Sequence, residues 1–178
     1  MTSRGLFIGR FQPFHLGHLE AVKYILSRED EVIIGVGSAQ YSHTFENPLT
    51  AGERIEVIYR TLKASGVDLG RCFITPIPDL GEHMLWVSRV RSFCPPFQTV
   101  YSNNPLVARL FSEAGYQIRP VPLFEREKYM ATEIRKKIAK GDDWRSLVHP
   151  AAYEYLVSIG LSERIRYILA DDRSSGGG

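Results

Sequence analysis

The chain has 178 residues, 44% of them hydrophobic, which is enough for one domain with a well-buried core. Its formal net charge is only +2 and no lysine- or arginine-rich block stands out, so we expect no nucleic-acid partner. No apolar run approaches the roughly 18 residues of a membrane span and no charged-then-apolar leader is recognisable, so we expect a cytoplasmic protein with no membrane partner. Cys72 and Cys94 have no metal-ligand spacing and are predicted to be buried free thiols.

Strand and helix patterns alternate along the chain. Short apolar or β-branched runs predict five strands, over Arg4–Ile8, Glu31–Gly37, Cys72–Ile77, Thr99–Tyr101 and Gln117–Val121. Helical periodicity predicts helices over Gly17–Arg28, from Thr50 to about Ala64, over Leu85–Phe93 and from Pro105 onward. From Ala131 the pattern is helical, with breaks at Gly141, Pro150 and Gly160.

Terminal signals support two of these helices. Thr50 and Glu53 have the spacing of a capping box, and Gly66 fits the C-terminal end of the same helix. Asn104 is a favourable N-cap, and Pro105 occupies the helical position that proline prefers.

The alternation predicts an α/β fold with a doubly wound parallel sheet of about five strands and a C-terminal helical extension. We expect a single domain over residues 1–170, of which 131–170 form the helical part, and a disordered tail over 171–178. In such sheets a ligand lies across the carboxyl ends of the strands. The loops that follow the strands are therefore where a site is expected.

The loop after the first predicted strand carries His15 and His18 at the start of a helix. Their three-residue spacing predicts that both imidazoles lie on one face of the first turn, where the helix stabilises a phosphate. Gly17 between them permits a close approach to the ligand. The loop has neither a Gly-x-Gly-x-x-Gly nor a Walker pattern. Zinc binding with His43 as a third ligand and a purely structural role are the alternatives.

A second candidate phosphate site lies late in the chain, in Thr132–Lys137. We expect Thr132 to cap the helix there, so that the first-turn amides and Arg135 face a second phosphate group. A solvated basic helix face is the alternative.

Together, His15-Leu16-Gly17-His18 and Thr132-Glu133-Ile134-Arg135 resemble the His-x-Gly-His and Thr-x-x-Arg signatures of a nucleotidyltransferase superfamily. Further blocks, in the same order and up to about Leu147, are similar to the archaeal nicotinamide mononucleotide adenylyltransferases. These blocks are Gly9–His18, Gly37–Gln40, Asn47–Arg54, Leu85–Val87 and Tyr101–Val107.

The resemblance implies a Rossmann-like nucleotidyltransferase that converts ATP and nicotinamide mononucleotide to NAD and pyrophosphate. It also implies Mg²⁺, held mainly by the ATP phosphates with no ligand identified on the protein, and a homo-oligomer, often a hexamer. We expect the catalytic residues to be His15, His18, Arg10 and Arg135. The expected ATP-binding residues are Gly9, Arg10, Phe11, Pro13, His15, Gly17, His18, Thr132 and Arg135. The expected nicotinamide mononucleotide-binding residues are Ser38, Ala39, Asp79, Leu80, His83 and Trp86.

The residue types fit this chemistry independently. A mononucleotide phosphate has a second pKa of about 6, so at neutral pH it attacks without a general base. The loops show no nucleophile–base pair, so we expect in-line attack with no covalent enzyme intermediate. Trp86 is expected to stack on the cationic nicotinamide ring, with a core tryptophan as the alternative. Asp79 is expected near the ribose or amide, and Trp144 is interpreted as packing.

Three positions depart from the family pattern. Glu46 stands where relatives can carry an arginine, His83 where an asparagine commonly approaches the amide, and Met130 where a serine is usual. These departures concern the nicotinamide pocket and the rate more than the reaction class. Adenylyl transfer to phosphopantetheine or flavin mononucleotide and a non-catalytic NAD sensor stay open.

The C-terminal helical region is rich in apolar residues and predicts a self-association face. The residues are Leu156, Ile159, Leu161, Ile165, Ile168 and Leu169.

Overall fold

A five-stranded parallel sheet forms the centre of the molecule. The computed structural model describes residues 1–79, 81–125 and 127–175, with side chains up to residue 171. The strands are β1 Arg4–Gly9, β2 Glu31–Val36, β3 Cys72–Pro76, β4 Thr99–Tyr101 and β5 Gln117–Arg119. Their spatial order is β3-β2-β1-β4-β5, and every neighbouring pair is parallel. The predicted doubly wound α/β fold is confirmed.

In the described ranges, seven α-helices follow or connect the strands. They are α1 Leu16–Leu26, α2 Ala51–Ala64, α3 His83–Phe93, α4 Pro105–Glu113, α5 Ala131–Lys140, α6 Pro150–Ser158 and α7 Leu161–Ser175. Short 3₁₀ turns lie at Leu69–Arg71 and Arg145–Leu147. The capping box of Thr50 and Glu53 is present at the start of α2, and the Asn104 carboxamide oxygen caps α4, both as predicted.

Among the boundaries that differ from the prediction are those of α1 and β5. Helix α1 begins at Leu16 rather than Gly17 because His15 caps it, and the helix ends at Leu26 rather than Arg28. Strand β5 stops at Arg119 rather than Val121. The side chain of Asn103 both donates to the Val121 carbonyl (2.7 Å) and accepts from its N–H (3.1 Å), so a carboxamide replaces the strand partner there.

The strand order reverses between β1 and β4, which places a crevice at the carboxyl ends of these two strands. Phe7 of β1 is level with Tyr101 of β4 and with Ile34 of β2, so the loops that follow the three strands leave the sheet close together. In doubly wound sheets this reversal is where ligands bind.

Apolar side chains cover both faces of the sheet. On one face α1, α2 and the C-terminal helices bury a large cluster that includes Val22, Ile58 and Ile134. On the other face α3 and α4 bury a smaller cluster around Val90 and Phe111. Such two-sided burial is what a parallel sheet requires, because both of its faces are apolar. It fixes the strand ends, and with them the site, on a rigid support.

The C-terminal extension packs on the larger cluster. Leu156, Leu161 and Ile165 are fully or almost fully buried in it, so they cannot form the exposed self-association face that the sequence suggested. Trp144 is buried and packs against Tyr153 at 4.7 Å between ring centroids, in agreement with the packing interpretation.

The end of the chain differs from the expected disordered tail. Helix α7 continues to Ser175, so residues 171–175 are helical. Residues 176–178 lie outside the described part of the chain.

Two further expectations concern the cysteines and the membrane. Cys72 and Cys94 are free but only partly buried, and burial raises the pKa of each thiol to about 11. Within the described ranges, none of the helices is long and apolar enough to cross a bilayer.

Candidate active site

Three cavities lie in a row along the carboxyl edge of the sheet. The first, of about 280 Å³, is called the β1–β4 cavity here; its lining includes Gly9, Phe11, Gly17, Tyr101 and Asn104. The second, the Arg135 pocket of about 270 Å³, is lined by Arg10, Gln12, Met130, Thr132 and Arg135, among others. The third, the Trp86 cavity of about 450 Å³, is lined by Tyr41, Asp79, His83, Trp86 and Asn104, among others.

Shared lining residues join these spaces. Phe11, His15, His18 and Tyr129 face both the β1–β4 cavity and the Arg135 pocket. Asn104 faces both the β1–β4 cavity and the Trp86 cavity. The row therefore has a central chamber with a cationic pocket on one side and an aromatic one on the other.

His15 and His18 form a reciprocal cap at the start of α1. The N–H of His18 donates to Nδ1 of His15 (3.3 Å), and the N–H of His15 donates to Nδ1 of His18 (3.2 Å). The rings stack with centroids 3.6 Å apart. His15 thus precedes the helix instead of lying in its first turn, but the two imidazoles do share one side as expected.

This arrangement sets the protonation of both rings. Because each Nδ1 accepts a hydrogen bond, each proton must be on Nε2, an assignment made from the hydrogen-bond geometry. Burial lowers the pKa of His15 to about 4, and burial together with His15 lowers the pKa of His18 well below its usual value. At neutral pH the pair therefore offers two uncharged Nε2–H donors.

The loop between β1 and α1 packs tightly around the histidine pair. A Cβ on Gly17 would lie 3.1 Å from the His15 ring and 3.1 Å from Cβ of Tyr129, so glycine permits the tight packing there. Phe11 adopts a left-handed conformation with φ of 51°, which non-glycine residues rarely do. A Cβ on Gly9 would come within 2.8 Å of the Phe11 ring. Pro13 is buried and lines none of the three cavities.

Arg135 is 3% exposed and incompletely bonded. Its Nη1 donates to the Gln12 carbonyl (2.9 Å) and its Nη2 to the Thr132 hydroxyl (3.3 Å). In the part of the chain that the structure describes, its buried Nε has no partner. A buried donor without an acceptor is costly, so the Arg135 side chain keeps unused hydrogen-bonding capacity beside the pocket.

Positive charge accumulates around this pocket. Burial and the charge of Arg10 both lower the pKa of Arg135, whereas Glu46 opposes them. Arg10 itself is exposed at the pocket. An anionic ligand would relieve the repulsion between these guanidinium groups.

Thr132 does not cap α5, contrary to the prediction. Met130 is the N-cap residue, and no side chain of the described residues caps this helix end. Thr132 is the second helical residue, and its hydroxyl is used by Arg135. Because no side chain of the described residues caps this helix end, the first-turn amides of α5 stay available to face the Arg135 pocket.

The Trp86 cavity holds several of the expected nicotinamide mononucleotide residues. Trp86 is partly exposed in the cavity and packs edge-on against Phe111 at 5.4 Å between centroids. Its position is therefore compatible both with stacking on a ligand ring and with a role in the core. Asp79 and His83 line the cavity directly. Leu80 lies outside the described residues.

Ser38 and Ala39 reach this cavity only indirectly. The Ser38 hydroxyl donates to Oδ2 of Asp79 (2.6 Å), and the Ala39 N–H donates to the Ile77 carbonyl (3.2 Å). Neither residue is among those that line the Trp86 cavity. They are therefore connected to the cavity only through other residues, Ser38 through Asp79 and Ala39 through Ile77.

The geometry does not bring a zinc site together. His43 is exposed and bonds the neighbouring Ser42 hydroxyl, and both Nδ1 atoms of the histidine pair are occupied. Among the residues that can be described, no three His, Cys, Asp or Glu side chains converge as a metal site would require.

Sequence reasoning missed the residues that hold the loops. The Gln12 carboxamide pairs with the Leu49 peptide through two hydrogen bonds of 2.9 Å, and the Gln40 carboxamide pairs with the Asp79 peptide through two of 3.0 Å. Arg54 is fully buried on the apolar face of α2. An arginine within an apolar stripe is the one available signal, whereas a glutamine in a polar loop gives none.

Comparison with known proteins identifies the family of this chain. Residues 6–137 match the cytidylyltransferase-like family. The nicotinamide-nucleotide adenylyltransferase of Saccharolobus solfataricus is 49% identical over 96% of this chain and 99% of its own length. The protein of the same name from Ignicoccus hospitalis is 49% identical over 95% and 99%. The chain belongs to the nicotinamide-nucleotide adenylyltransferase family.

A solved structure supports the fold of this family member. A bifunctional NMN adenylyltransferase/ADP ribose pyrophosphatase from Francisella tularensis, complexed with AMP and a manganese ion, superimposes with a TM-score of 0.83 at 24% identity. The match covers 98% of this chain and 54% of the Francisella chain, so the present chain spans about half of that protein.

Proposed function

We propose that this chain transfers the adenylyl group of ATP to nicotinamide mononucleotide, with NAD and pyrophosphate as products. One observation carries the proposal: His15 and His18 stand at the junction of the β1–β4 cavity and the Arg135 pocket, and the β1–β4 cavity adjoins the Trp86 cavity at Asn104. The cationic lining of the Arg135 pocket and the adjacent histidine pair suit the ATP phosphates, and the aromatic lining of the Trp86 cavity suits nicotinamide.

The proposed reaction is an in-line displacement at the α-phosphorus of ATP. An oxygen of the mononucleotide phosphate forms the new bond as the bond to pyrophosphate breaks, and no proton has to be removed by the protein. His15 and His18 donate hydrogen bonds to the phosphate oxygens, and Arg10 and Arg135 stabilise the departing pyrophosphate. Neutral Nε2–H donors fit this role better than acid–base exchange, because a depressed pKa keeps both rings uncharged.

Mg²⁺ would enter with ATP, and when bound it neutralises part of the phosphate charge. The Arg135 pocket supplies N–H donors from guanidinium, imidazole and backbone groups. Such donors suit the phosphate oxygens left free by an ion that water and the phosphates themselves hold. The residues therefore fit Mg²⁺ bound through the nucleotide.

The Trp86 cavity suits a cationic ring. Trp86 and Tyr41 supply aromatic faces, and Asp79 and Glu82 supply carboxylates in the same lining. A positively charged nicotinamide gains from both kinds of group. We propose that Asp79 or His83 also hydrogen-bonds the ribose or amide.

A panel of second substrates tests the proposal. The protein is incubated with ATP, Mg²⁺ and one of nicotinamide mononucleotide, nicotinic acid mononucleotide, flavin mononucleotide or phosphopantetheine, and products are separated by liquid chromatography. NAD with an equal amount of pyrophosphate is expected. Product from flavin mononucleotide or phosphopantetheine alone would reassign the acceptor, and tight NAD binding without product would identify a sensor.

We further propose that the protein is a cytoplasmic homo-oligomer, with a hexamer as the specific assembly. Exposed apolar side chains on α3 and α4, namely Met84, Leu85 and Leu106, support a self-association surface, in addition to the partly buried Ile159, Ile168 and Leu169 of the C-terminal region. Light scattering on the purified chain gives the mass directly, and a monomeric mass would reject this proposal.

A further inference from the structure

Arg54 is a charged side chain that solvent does not reach at all. Its Nη1 donates to the Arg10 carbonyl (2.9 Å) and to the Gly37 carbonyl (2.7 Å). Its Nη2 donates to the Ser38 carbonyl (3.1 Å), and its Nε to the Thr50 carbonyl (3.3 Å). A single guanidinium thus ties together the loop after β1, the loop after β2 and the N-terminus of α2.

Holding this cation in the interior is costly. Burial, with a contribution from the charge of Arg10, lowers the pKa of Arg54 to about 10. In the described structure its hydrogen bonds go to backbone carbonyls rather than to a carboxylate. Four oriented carbonyls satisfy the planar fork of an arginine, but the rounder ammonium of a lysine cannot reach them all. An apolar residue would suffice if this position only filled the core.

The Arg54 hydrogen bonds continue into the Trp86 cavity through Ser38. Ser38 is held in a left-handed conformation, with φ of 49°, by Arg54 at its carbonyl and by Asp79 at its hydroxyl. Gln40, in the same loop, binds the Asp79 peptide at both ends. Such a conformation persists only where its surroundings enforce it. Asp79 in turn lines the cavity.

On the other side, Arg54 fixes the peptide of Arg10, which lines the Arg135 pocket. The backbone positions of Arg10 and Ser38 are therefore set by the same side chain. One of these residues belongs to the cationic end of the row of cavities, and the other holds a wall of the aromatic end.

We propose that Arg54 is a positioning residue that sets the distance between the Arg135 pocket and the Trp86 cavity, and so aligns the mononucleotide phosphate with ATP. Being fully buried, it touches neither substrate. The inference rests on the proposed adenylyl transfer. A small displacement of reacting groups reduces rates by about 100-fold, which sets the size of the expected effect.

The test compares R54K with the matched control R71K. Arg71 also donates to three backbone carbonyls, those of Leu26, Glu29 and Asp30, but at the opposite end of the sheet. We expect R54K to lower kcat about 100-fold and to weaken nicotinamide mononucleotide binding, measured by tryptophan fluorescence. R71K should lose comparable thermal stability and keep its kcat.

Ser38→Ala provides a second variant in case R54K does not fold. Removing the bond to Asp79 should raise KM for nicotinamide mononucleotide about tenfold with little change in KM for ATP. Adding S38A to R54K should weaken mononucleotide binding no further, because both changes interrupt the same connection. By contrast, the effects of T132A and R54K on mononucleotide binding should add in the double variant.

The outcomes separate the two proposals. A folded wild-type protein that forms no NAD overturns the proposed function. Active wild type together with an R54K variant within threefold of its kcat overturns the positioning role, as does an equal loss in R71K. Full additivity of S38A and R54K in mononucleotide binding would also overturn it.

Discussion

Each histidine of the stacked pair uses its two ring nitrogens for different purposes. Nδ1 of His15 and of His18 accepts a backbone N–H and stabilises the start of α1, and among the described residues no hydrogen bond occupies Nε2–H, which can serve a ligand. A protonated Nδ1 could not accept that bond, so charging either ring would break the cap. The pair is thereby suited to hydrogen-bond donation and unsuited to proton transfer.

The two roles of His15 can be separated by substitution. In H15N the carboxamide oxygen can still cap α1, whereas in H15A no side-chain cap is left. We expect the free energy of unfolding to change by less than about 0.5 kcal/mol in H15N and to fall by about 1 kcal/mol in H15A. Both variants should lose kcat about 100-fold because the Nε2–H donor is gone. Urea unfolding and NAD formation measure these effects, and normal activity in H15N would contradict the donor role.

The lowered pKa of His15 also predicts how stability depends on pH. In the unfolded chain the ring takes up a proton near pH 6.5, but in the folded chain only near 4. Between these values the unfolded state binds more protons, so the free energy of unfolding should fall as the pH is lowered from about 6.5 to 4. The upper limit is about 3 kcal/mol. Urea titrations of wild type and H15N at pH 7, 5 and 4 should show that the free energy of unfolding falls less in H15N. Equal falls in the two proteins would contradict the lowered pKa of His15.

Trp86 provides a prediction about the second substrate. Replacing it with alanine removes the ring face in the cavity, so KM for nicotinamide mononucleotide should rise about 3- to 30-fold, as expected for a cation–π contact. KM for ATP should stay within twofold. W86F keeps an aromatic face, so its KM for nicotinamide mononucleotide should lie between those of wild type and W86A. Equal increases in both KM values would instead indicate that Trp86 only supports the packing of α3 on Phe111.

Among the elements, the strands and their order along the chain were predictable because parallel strands are nearly continuous apolar runs. The capping residues of α2 and α4 were predictable because serine-, threonine- and asparagine-type caps are common. His15 was missed as a cap because imidazole rarely serves there, and Thr132 was misplaced because Met130 gives no capping signal. Contacts such as Arg54 with Arg10 depend on how loops fold over one another, which local patterns do not contain.

One contact between elements connects the C-terminal helices to the site. Arg164 of α7 forms a bidentate pair with Glu53 at 2.7 and 2.8 Å and donates to the Pro48 carbonyl. The same carboxylate accepts the Thr50 N–H in the α2 capping box. These bonds fasten the segment before α2, which also holds Gln12 through Leu49.

Removing that contact should affect stability more than activity. R164A leaves the partly buried Glu53 carboxylate without its cation, and we expect the free energy of unfolding to fall by about 2 kcal/mol. The control R166A removes an exposed guanidinium from the same helix. Arg166 lies 3.6 Å from the Glu163 carboxylate, a long contact, so its loss should change the free energy of unfolding by less than about 0.5 kcal/mol. Both variants should keep kcat within threefold of wild type. A larger loss of kcat in R164A would mean that α7 also positions the catalytic loops.

At the level of the whole molecule, a rigid two-sided sheet supports loops whose hydrogen bonds converge on one edge. Arg54, Gln12 and Gln40 join the loops to one another, so the cationic and aromatic cavities are parts of one hydrogen-bonded unit. This connection between the cavities suits a displacement at phosphorus that, as the sequence predicts, uses no nucleophile–base pair of the protein. Alignment of two substrates, together with charge stabilisation, supplies what such a reaction needs.

The most direct measurement is product analysis with the histidine pair intact and with it altered. Wild-type protein, ATP, Mg²⁺ and nicotinamide mononucleotide should yield NAD and pyrophosphate in equal amounts, and H18A of unchanged fold should yield about 100-fold less per unit time. If the folded wild type forms no NAD, or if H18A forms it as fast as wild type, then the His15–His18 pair is not the phosphate-binding centre of an adenylyltransferase.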